Sequence, residues 1–549
     1  MTTVSPMAKI YRGELPMDLF DSFKPSAHSE EVERVVEAYR ELLITFPPAT
    51  LESLGHIPQE MLQEMARIGL FGLSIPAAYG GLGYNTRDYM RVVEQMVRLD
   101  MASALASLAH LSIGVKAVEL FGSESQKQKY LVPAASGAMI FSYALTEPRT
   151  GSDAQHIETR AELSPDGSTY LLNGQKTYIT NANYAGAMTV FAQMDPSRPG
   201  FMGTFIVETP WPGVKIGKDM PKMGLKASST AAVQFRDVRV PIENFLGQPG
   251  DGFRIAMTVL NYGRIALGAA SLGMMRQSLE DMAKRSSTRV QFGTPIKDFP
   301  LIQEKLARAK VNTLVSGALN DFTAALMDQN PKGNLAIETS HCKLFGTTRA
   351  WDTLYDAFQI AGGSAYLATN PYEKRLRDFR VATVFEGTTE IHSIYPALAA
   401  LRALSREFRQ VARNPASRFL FFLTSLFRKV DWPLELRDRT LKRASHLARA
   451  NARTIRRLLV LGLTAYGRKA LERQFFLRRI TTLSLHLYAL LALLARLSAE
   501  EKSGLIDGED LTSLRYFLDE AKESRKLNGR LFDSRRERQT ASVVKSLFP

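Results

Sequence analysis

Three short segments carry residue types whose spacing could do chemistry. The first, Ala144-Leu145-Thr146-Glu147-Pro148-Arg149-Thr150-Gly151-Ser152-Asp153, sets a glycine among small hydroxyl residues. Such a stretch lets the backbone approach a phosphate and offers it N–H and O–H donors. The second, Leu172-Asn173-Gly174-Gln175-Lys176-Thr177-Tyr178-Ile179-Thr180-Asn181, reads as a strand. Its alternation puts an aromatic ring and a hydroxyl on one face, suited to stacking on a flat ring and hydrogen-bonding to it. The third is Val384-Phe385-Glu386-Gly387-Thr388-Thr389-Glu390. A carboxylate beside Phe and Val, followed by glycine, is placed to be partly desolvated, and desolvation raises a carboxyl pKa toward the range a general base needs. Taken singly these are an ordinary turn, an ordinary strand and an ordinary helix cap.

The elements that must position them alternate in texture. Val32, Val35, Val36, Tyr39, Leu42 and Leu43 follow the spacing of one buried helix face, and residues 31 to about 140 read as helices. The Gly-rich break Tyr79-Gly80-Gly81-Leu82-Gly83 separates them. From about 142 to 250 short β-rich runs alternate with turn signals such as Pro165-Asp166-Gly167. Helices return from 252, for instance Leu301 to Leu326 and Ile337 to Ala361. The expected fold is mainly α with a central β domain. Its parts are an N-terminal helical domain (1–140), a middle β-barrel or sandwich (141–250), a four-helix bundle (251–400) and a C-terminal helical extension (401–549).

Charge singles out the extension. Residues 401–549 hold 31 Lys/Arg against 15 Asp/Glu, a net of +16, whereas the first 400 residues are near neutral. A basic region of this kind implies an anionic partner, lipid or nucleic acid. Nucleic acid is not expected, because no aromatic-and-basic stacking motif accompanies the charge. Phe419, Phe422, Leu423, Leu426, Phe427 and Val430 form an apolar stripe at helical spacing, and Arg439 to Arg457 is studded with basic residues. Residues 415–460 therefore read as an amphipathic element for an anionic membrane surface; a core helix beside a solvated basic helix is the competing reading. Ile480 to Ala499, nearly apolar but holding His486 and Arg496, reads as a packed core helix. The single Cys342 excludes an intramolecular disulfide and any cysteine metal site, and no metal is expected. Met1 to Tyr11 lacks a signal-peptide layout, so a bacterial protein of the cytoplasm, peripheral at the inner face of the cell membrane, is expected.

In this order and at these spacings the three segments resemble the acyl-CoA dehydrogenase family. The resemblance runs from about residue 30 to the C-terminus and looks most like the very-long-chain subgroup, with its extra helical domain. Lys222-Met223-Gly224-Leu225-Lys226-Ala227-Ser228, Val238-Arg239-Val240-Pro241, Asn261-Tyr262-Gly263-Arg264, Arg289-Val290-Gln291-Phe292-Gly293 and Gln359-Ile360-Ala361-Gly362-Gly363 support it. It implies an FAD enzyme that oxidises fatty acyl-CoA to trans-2-enoyl-CoA and passes the electrons to an electron-transfer flavoprotein. Glu386 matches the base that removes the α-proton while the β-hydride goes to the flavin. The backbone N–H at Glu386 and a ribityl hydroxyl of FAD are the implied oxyanion donors. Leu145, Thr146, Tyr178 and Thr180 match isoalloxazine contacts, Ser152 a residue near the pyrophosphate, and Thr388 and Glu390 flank the same cofactor. Arg289, Gln291, Phe292, Gln359, Gly362 and Gly363 match residues holding the ADP half of a neighbouring subunit's FAD, which implies a homodimer. Asn261, Arg264 and Gly387 match residues near the acyl-CoA.

The sequence also departs from the family pattern. Tyr178 stands where Trp is usual, Arg149 brings a charge into its loop, and Thr150 and His156 replace other small residues. The second base position of some relatives is Gly263 here, leaving Glu386 as the candidate. Small residues at Ala102, Ser103 and Ala104, where the family closes its acyl pocket, imply long chains. An acyl-CoA oxidase or flavin monooxygenase on the same fold, and a non-catalytic flavoprotein that assists assembly of respiratory complex I, are the alternatives.

Overall fold

A computed structural model describes residues 5–12, 14, 20, 23, 29–411, 414, 416, 422–426 and 434–548. After α1 (Pro6–Tyr11), the N-terminal helices are α2 (Glu30–Thr45), α3 (Pro48–Leu54), α4 (Gln59–Arg67), α5 (Thr86–Leu99), α6 (Met101–Ala109), α7 (Lys116–Phe121) and α8 (Glu124–Ala135). Local chemistry explains their starts. Ser29 caps α2, whose first turn carries Glu30, Glu31 and Glu33 against the positive end of the helix dipole. Ser123 and Gln126 form a reciprocal capping box on α8.

Strands β1 (Ile140–Ala144), β2 (Arg160–Leu163), β3 (Thr169–Thr180), β4 (Ala185–Gln193), β5 (Met202–Glu208), β6 (Val214–Ile216), β7 (Thr230–Pro241) and β8 (Phe245–Leu246) share one hydrogen-bonded sheet. Its two wings, β6-β7-β3-β2 and β1-β4-β5-β8, join through the single pair Arg160–Gln193. They enclose a core of their own, in which Tyr170 meets the rings of Phe205 and Phe245. That is the sandwich-like middle domain expected from the alternating strands. The register of β3 on β7 shifts between Lys176 and Ile179, a bulge that turns Tyr178 outward.

The bundle consists of α9 (Gly252–Thr288), α10 (Pro300–Gln329), α11 (Ala336–Ala361), α12 (Pro371–Phe379) and α13 (Thr389–Val411). A short hairpin of β9 (Val290–Gln291) and β10 (Thr294–Pro295) joins α9 to α10. At about 55 Å, α9 is the spine of the protein. Its glycines permit close crossings: a Cβ on Gly268 would lie 2.3 Å from Asn320 Oδ1, and one on Gly273 would lie 2.2 Å from the Glu94 carbonyl. The extension adds α14 (Arg439–Tyr466), α15 (Gln474–Lys502), α16 (Gly508–Asn528) and α17 (Arg535–Lys545).

Two findings correct the sequence-based boundaries, and a third the reading of the extension. Helix α13 crosses residue 400 unbroken, because Ala397, Ala400 and Leu401 continue one buried face. Helix α1 does not belong to the N-terminal helical layer. It packs on α11, α13 and α14, where Met7, Ile10 and Tyr11 are buried and Glu338 accepts from Ser5 Oγ (2.6 Å) and the Met7 N–H (2.9 Å). In α14 the apolar face is not offered to a membrane: Leu441, Leu447, Ile455 and Leu458 are buried in the protein core, and Arg439, Lys442, Arg443, Arg453 and Arg457 point outward. It is a solvated basic helix on a packed core. The stripe at Phe419 to Val430 lies outside the described residues, except that Phe422, Leu423 and Leu426 are half-buried. Three stretches, Met101–Phe121, Gly252–Thr288 and Gln474–Lys502, are long and apolar enough to cross a membrane, and all three are mostly buried inside the protein. Arg479 on α15 is buried against Asp533 (3.0 Å) and Glu537 (2.8 Å), which fixes α17 to the core.

Candidate active site

Glu386 sits on the loop between the turn Arg380–Thr383 and α13, and its backbone is left-handed, φ +56°. For a side chain of this size that conformation costs on the order of 1–3 kcal/mol and survives only where the surroundings over-determine it. Two of those surroundings are side chains. His392 Nε2 meets the Glu386 carbonyl at 3.0 Å, and Lys343 Nζ donates to the Gly387 carbonyl. The carboxyl itself projects at α9, and its Oε2 is buried with no hydrogen-bond partner among the described residues. It fits because position 263 is glycine: a Cβ there would stand 2.7 Å from Oε2. Burial pushes the Glu386 pKa up to about 7, against the opposing pull of the Arg264 and Lys343 cations. A carboxylate of this kind is a base matched to neutral pH. Tyr143 on β1 faces the same charge, and burial together with Glu386 holds its hydroxyl well above the usual phenol range.

The first and second sequence segments come together beside this carboxyl. Thr177 N–H donates to the Thr146 carbonyl (2.9 Å), so the 144–152 loop lies against β3. Buried Lys176 locks the pair, donating to the Leu145 carbonyl (3.0 Å) and to Glu147 Oε1 (2.7 Å). Glu147 in turn accepts from the backbone N–H groups of Glu158 and Thr159. Around this anchor Leu145 is buried, Thr146 and Thr180 are half-buried, and Ser152 is exposed. Tyr178 is left-handed (φ +58°) and 67% exposed. The unusual loop charges face away: Arg149 meets Glu158 at 3.5 Å, and His156 meets Asp153 at 2.7 Å. Thr150 is buried and donates to the His156 carbonyl. Lys176→Met strands the buried Glu147 carboxylate, which costs about 3–5 kcal/mol. The expected results are a lower Tm and loss of bound flavin, read by thermal melts and by the flavin-to-protein absorbance ratio.

A second group lies elsewhere on the bundle. Arg289, Gln291 and Phe292 occupy the exposed β9–β10 hairpin, and Phe292 is left-handed (φ +52°) and 96% exposed. Gln359, Gly362 and Gly363 end α11, all exposed, about 24 Å along that helix from Lys343. Arg285 donates to the Ala361 carbonyl (3.4 Å), bringing hairpin and glycines to one end of the bundle. Asn261 and Arg264 differ from these in being buried. Arg264 Nη1 donates to Asn261 Oδ1 (3.1 Å), and its guanidinium lies over the Tyr395 ring (5.6 Å). Thr388 is half-buried and accepts the His392 N–H at the start of α13, whereas Glu390 is exposed.

The architecture has known counterparts. The acyl-CoA dehydrogenase N-terminal, middle and C-terminal domains match residues 29–138, 142–238 and 250–397. The very long-chain specific acyl-CoA dehydrogenase of Homo sapiens mitochondria is 33% identical over 518 residues, covering 90% of this chain and 79% of that protein. The chain belongs to the acyl-CoA dehydrogenase family. Other acyl-CoA dehydrogenases extend the comparison: one from Bacillus subtilis is 37% identical over 346 residues, 63% of this chain and 90% of that one. The crystal structure of the Bacillus anthracis acyl-CoA dehydrogenase complexed with FAD superposes with a TM-score of 0.83 at 28% identity. It covers 100% of this chain and 96% of that one, extension included. Butyryl-CoA dehydrogenase of Megasphaera elsdenii gives 0.65 at 32% identity over 69% of this chain and all of that one.

Acyl-CoA dehydrogenases are FAD enzymes, and the residues present fit that cofactor. Two aromatic side chains, Tyr178 and Phe292, are held in the left-handed region with their rings exposed, an arrangement whose cost makes sense where a flat group stacks on them. Hydroxyls at Thr146, Thr180 and Ser152 supply donors, and the buried Glu386 Oε2 has no partner among the described residues. Sequence reasoning assigned no role to Lys176, Lys343, Ser340, His392 or Tyr143. Lys343 and His392 lie in helical stretches rich in other polar residues, Glu338-Thr339-Ser340-His341 and Thr388-Thr389-Glu390, so the sequence held no local signal that singles them out.

Proposed function

We propose that this acyl-CoA dehydrogenase acts on long-chain fatty acyl-CoA, forms trans-2-enoyl-CoA in β-oxidation and delivers its electrons to an electron-transfer flavoprotein. The half-buried Glu386, with its raised pKa and a buried Oε2 that has no partner among the described residues, carries the reading. Glu386 Oε2 takes the α-proton of the thioester, and the negative charge that develops on the thioester oxygen is met by the backbone N–H of Glu386. FAD, when bound, supplies the acceptor for the hydride that leaves the β carbon. Leu145, Thr146, Tyr178 and Thr180 orient the ring system and Ser152 approaches the pyrophosphate. Asn261, Arg264 and Gly387 shape the acyl-CoA side.

Long chains are supported by the small Ala102, Ser103 and Ala104 on α6, and by the 33% identity to the very long-chain enzymes, which extends over 90% of the chain. A homodimer is supported by the exposed Arg289, Gln291, Phe292, Gln359, Gly362 and Gly363, which fit the ADP half of a partner's cofactor. The outward-facing basic residues of α14 support attraction to an anionic cytoplasmic membrane surface. The test is an anaerobic titration of the purified flavoprotein with acyl-CoAs of graded length. Flavin bleaching is expected to be fastest at about C14 and longer, and a profile peaking at roughly C4 to C8 would refute the chain-length assignment.

A further inference from the structure

The catalytic glutamate owes its geometry to a histidine six residues further on. His392 lies in the first turn of α13 and is 1% exposed. Its own N–H bonds to the Thr388 carbonyl (3.0 Å), so the helix start swings the imidazole back over the Glu386–Gly387 peptide. Nε2 lies 3.0 Å from the Glu386 carbonyl, and Nδ1 lies 2.7 Å from Ser340 Oγ on α11. The carbonyl can only accept, so Nε2 carries the hydrogen, and a neutral ring leaves Nδ1 to accept from the Ser340 hydroxyl. Burial first, then the Arg264 and Lys343 cations, hold the His392 pKa well below its usual value, which agrees with that neutral tautomer.

The seat is tight. A Cβ on Gly387 would stand 2.6 Å from Nε2, so the ring packs directly on a residue that must be glycine, at φ +93°. Lys343 takes the next carbonyl along, that of Gly387. Two successive peptides are thus each held by a side chain, His392 on α13 and Lys343 on α11, and the one that His392 holds leaves directly from the left-handed Cα of Glu386. Glu386 presents both groups the reaction uses, the carboxyl and its own backbone N–H. Rotating the 386–387 peptide shifts the Cα of Glu386, from which the carboxyl and the backbone N–H both leave, and an error of about 1 Å in such a group costs roughly a hundredfold in rate.

We infer that His392, tautomer-fixed by Ser340, is the positioning residue for Glu386. The inference rests on Glu386 acting as the base. The experiment compares His392→Leu, His392→Gln and Ser340→Ala holoenzymes with wild type, scoring kcat per bound flavin and KM separately. Gln keeps a donor for the Glu386 carbonyl and is expected to stay within about threefold of wild-type kcat. Leu fills the space without a donor and is expected to lose at least about tenfold in kcat at nearly unchanged KM. Ser340→Ala leaves the imidazole in place and keeps the test informative should the Leu protein fold poorly; a fall of about threefold in kcat is expected. Equal kcat for the Leu and Gln proteins would overturn the inference. A loss confined to flavin content or KM, or a Ser340→Ala protein indistinguishable from wild type, would overturn it equally. If wild-type flavin is bleached by no acyl-CoA, the base assignment itself falls, an outcome distinct from these.

Discussion

Glu386→Gln will fold, retain FAD and bind acyl-CoA, yet its flavin will bleach at least about a thousandfold more slowly under anaerobic conditions, the scale of losing a positioned general base. Gln is the same size and keeps a carbonyl oxygen where Oε2 stands, so the cavity beside Gly263 and the left-handed backbone need not change. What disappears is the ability to accept a proton. No second carboxylate is ready to substitute at the alternative position on α9, because residue 263 has no side chain. The same carboxyl sets the pH dependence of the wild type. With a pKa near 7, raised mainly by burial, the active ionised form falls about tenfold for each pH unit below 7 and saturates above it. Flavin reduction should therefore climb from pH 5 to about 7.5 and then level, a limb absent from the Gln protein's residual rate. Stability moves the other way. The folded carboxyl protonates at higher pH than the unfolded one, so its ionisation opposes folding as pH rises from 4.5 through 7. Glu386→Gln should accordingly melt above wild type at pH 8, with the difference vanishing below about pH 4.5. A Gln protein that bleaches at the wild-type rate would remove Glu386 from the chemistry.

How much of this site could be read in the sequence depends on where each constraint is written. Glu386 was legible because apolar Val384 and Phe385 precede it and Gly387 allows the turn that follows, although Val384 is half exposed and the carboxyl packs against α9 instead. The β3 pattern was legible in part, since a period of two puts Tyr178 and Thr180 on one face of a regular strand. The bulge that turns Tyr178 to φ +58° was not legible, because it arises from the register of β3 on β7, 50 residues away. Lys343 and Ser340 were invisible for the same reason. Residues within two turns of α11 serve different neighbours: Glu338 receives α1, Thr339 donates to Asn261, Ser340 to His392, and Lys343 to Gly387. From the sequence those positions show only a helix with too many polar residues for a core. The extension misled in the opposite sense. Arg439 to Arg457 has the amphipathicity of a membrane-surface helix, and amphipathicity alone does not say whether lipid or α15 covers the apolar side. Helix α15 packs along α14 and covers it here.

Gly263→Ala separates what the helix prefers from what the site needs. Position 263 lies inside α9, and alanine there is favoured over glycine by about 1 kcal/mol of helix propensity. On local grounds the substitution should stabilise the protein. The added methyl, however, would stand 2.7 Å from Glu386 Oε2, 3.0 Å from its Cδ and 2.9 Å from Ile113 Cγ2. Carbon and oxygen do not approach so closely without one of them moving. The carboxyl is the mobile partner, with no hydrogen bond at Oε2 among the described residues, while Ile113 packs against the core from the turn between α6 and α7. Relief therefore comes from displacing Glu386 Oε2, the proposed base, by an amount comparable with the 1 Å that costs about a hundredfold. The expected result is a holoenzyme that melts within a few degrees of wild type and reduces its flavin about a hundredfold more slowly, with acyl-CoA binding little changed. Melting curves and anaerobic stopped-flow on the same preparation check both halves. Wild-type bleaching in the Ala protein would mean that the space beside Gly263 is not what seats the base. A collapse in Tm would mean that Ile113, rather than the carboxyl, gives way.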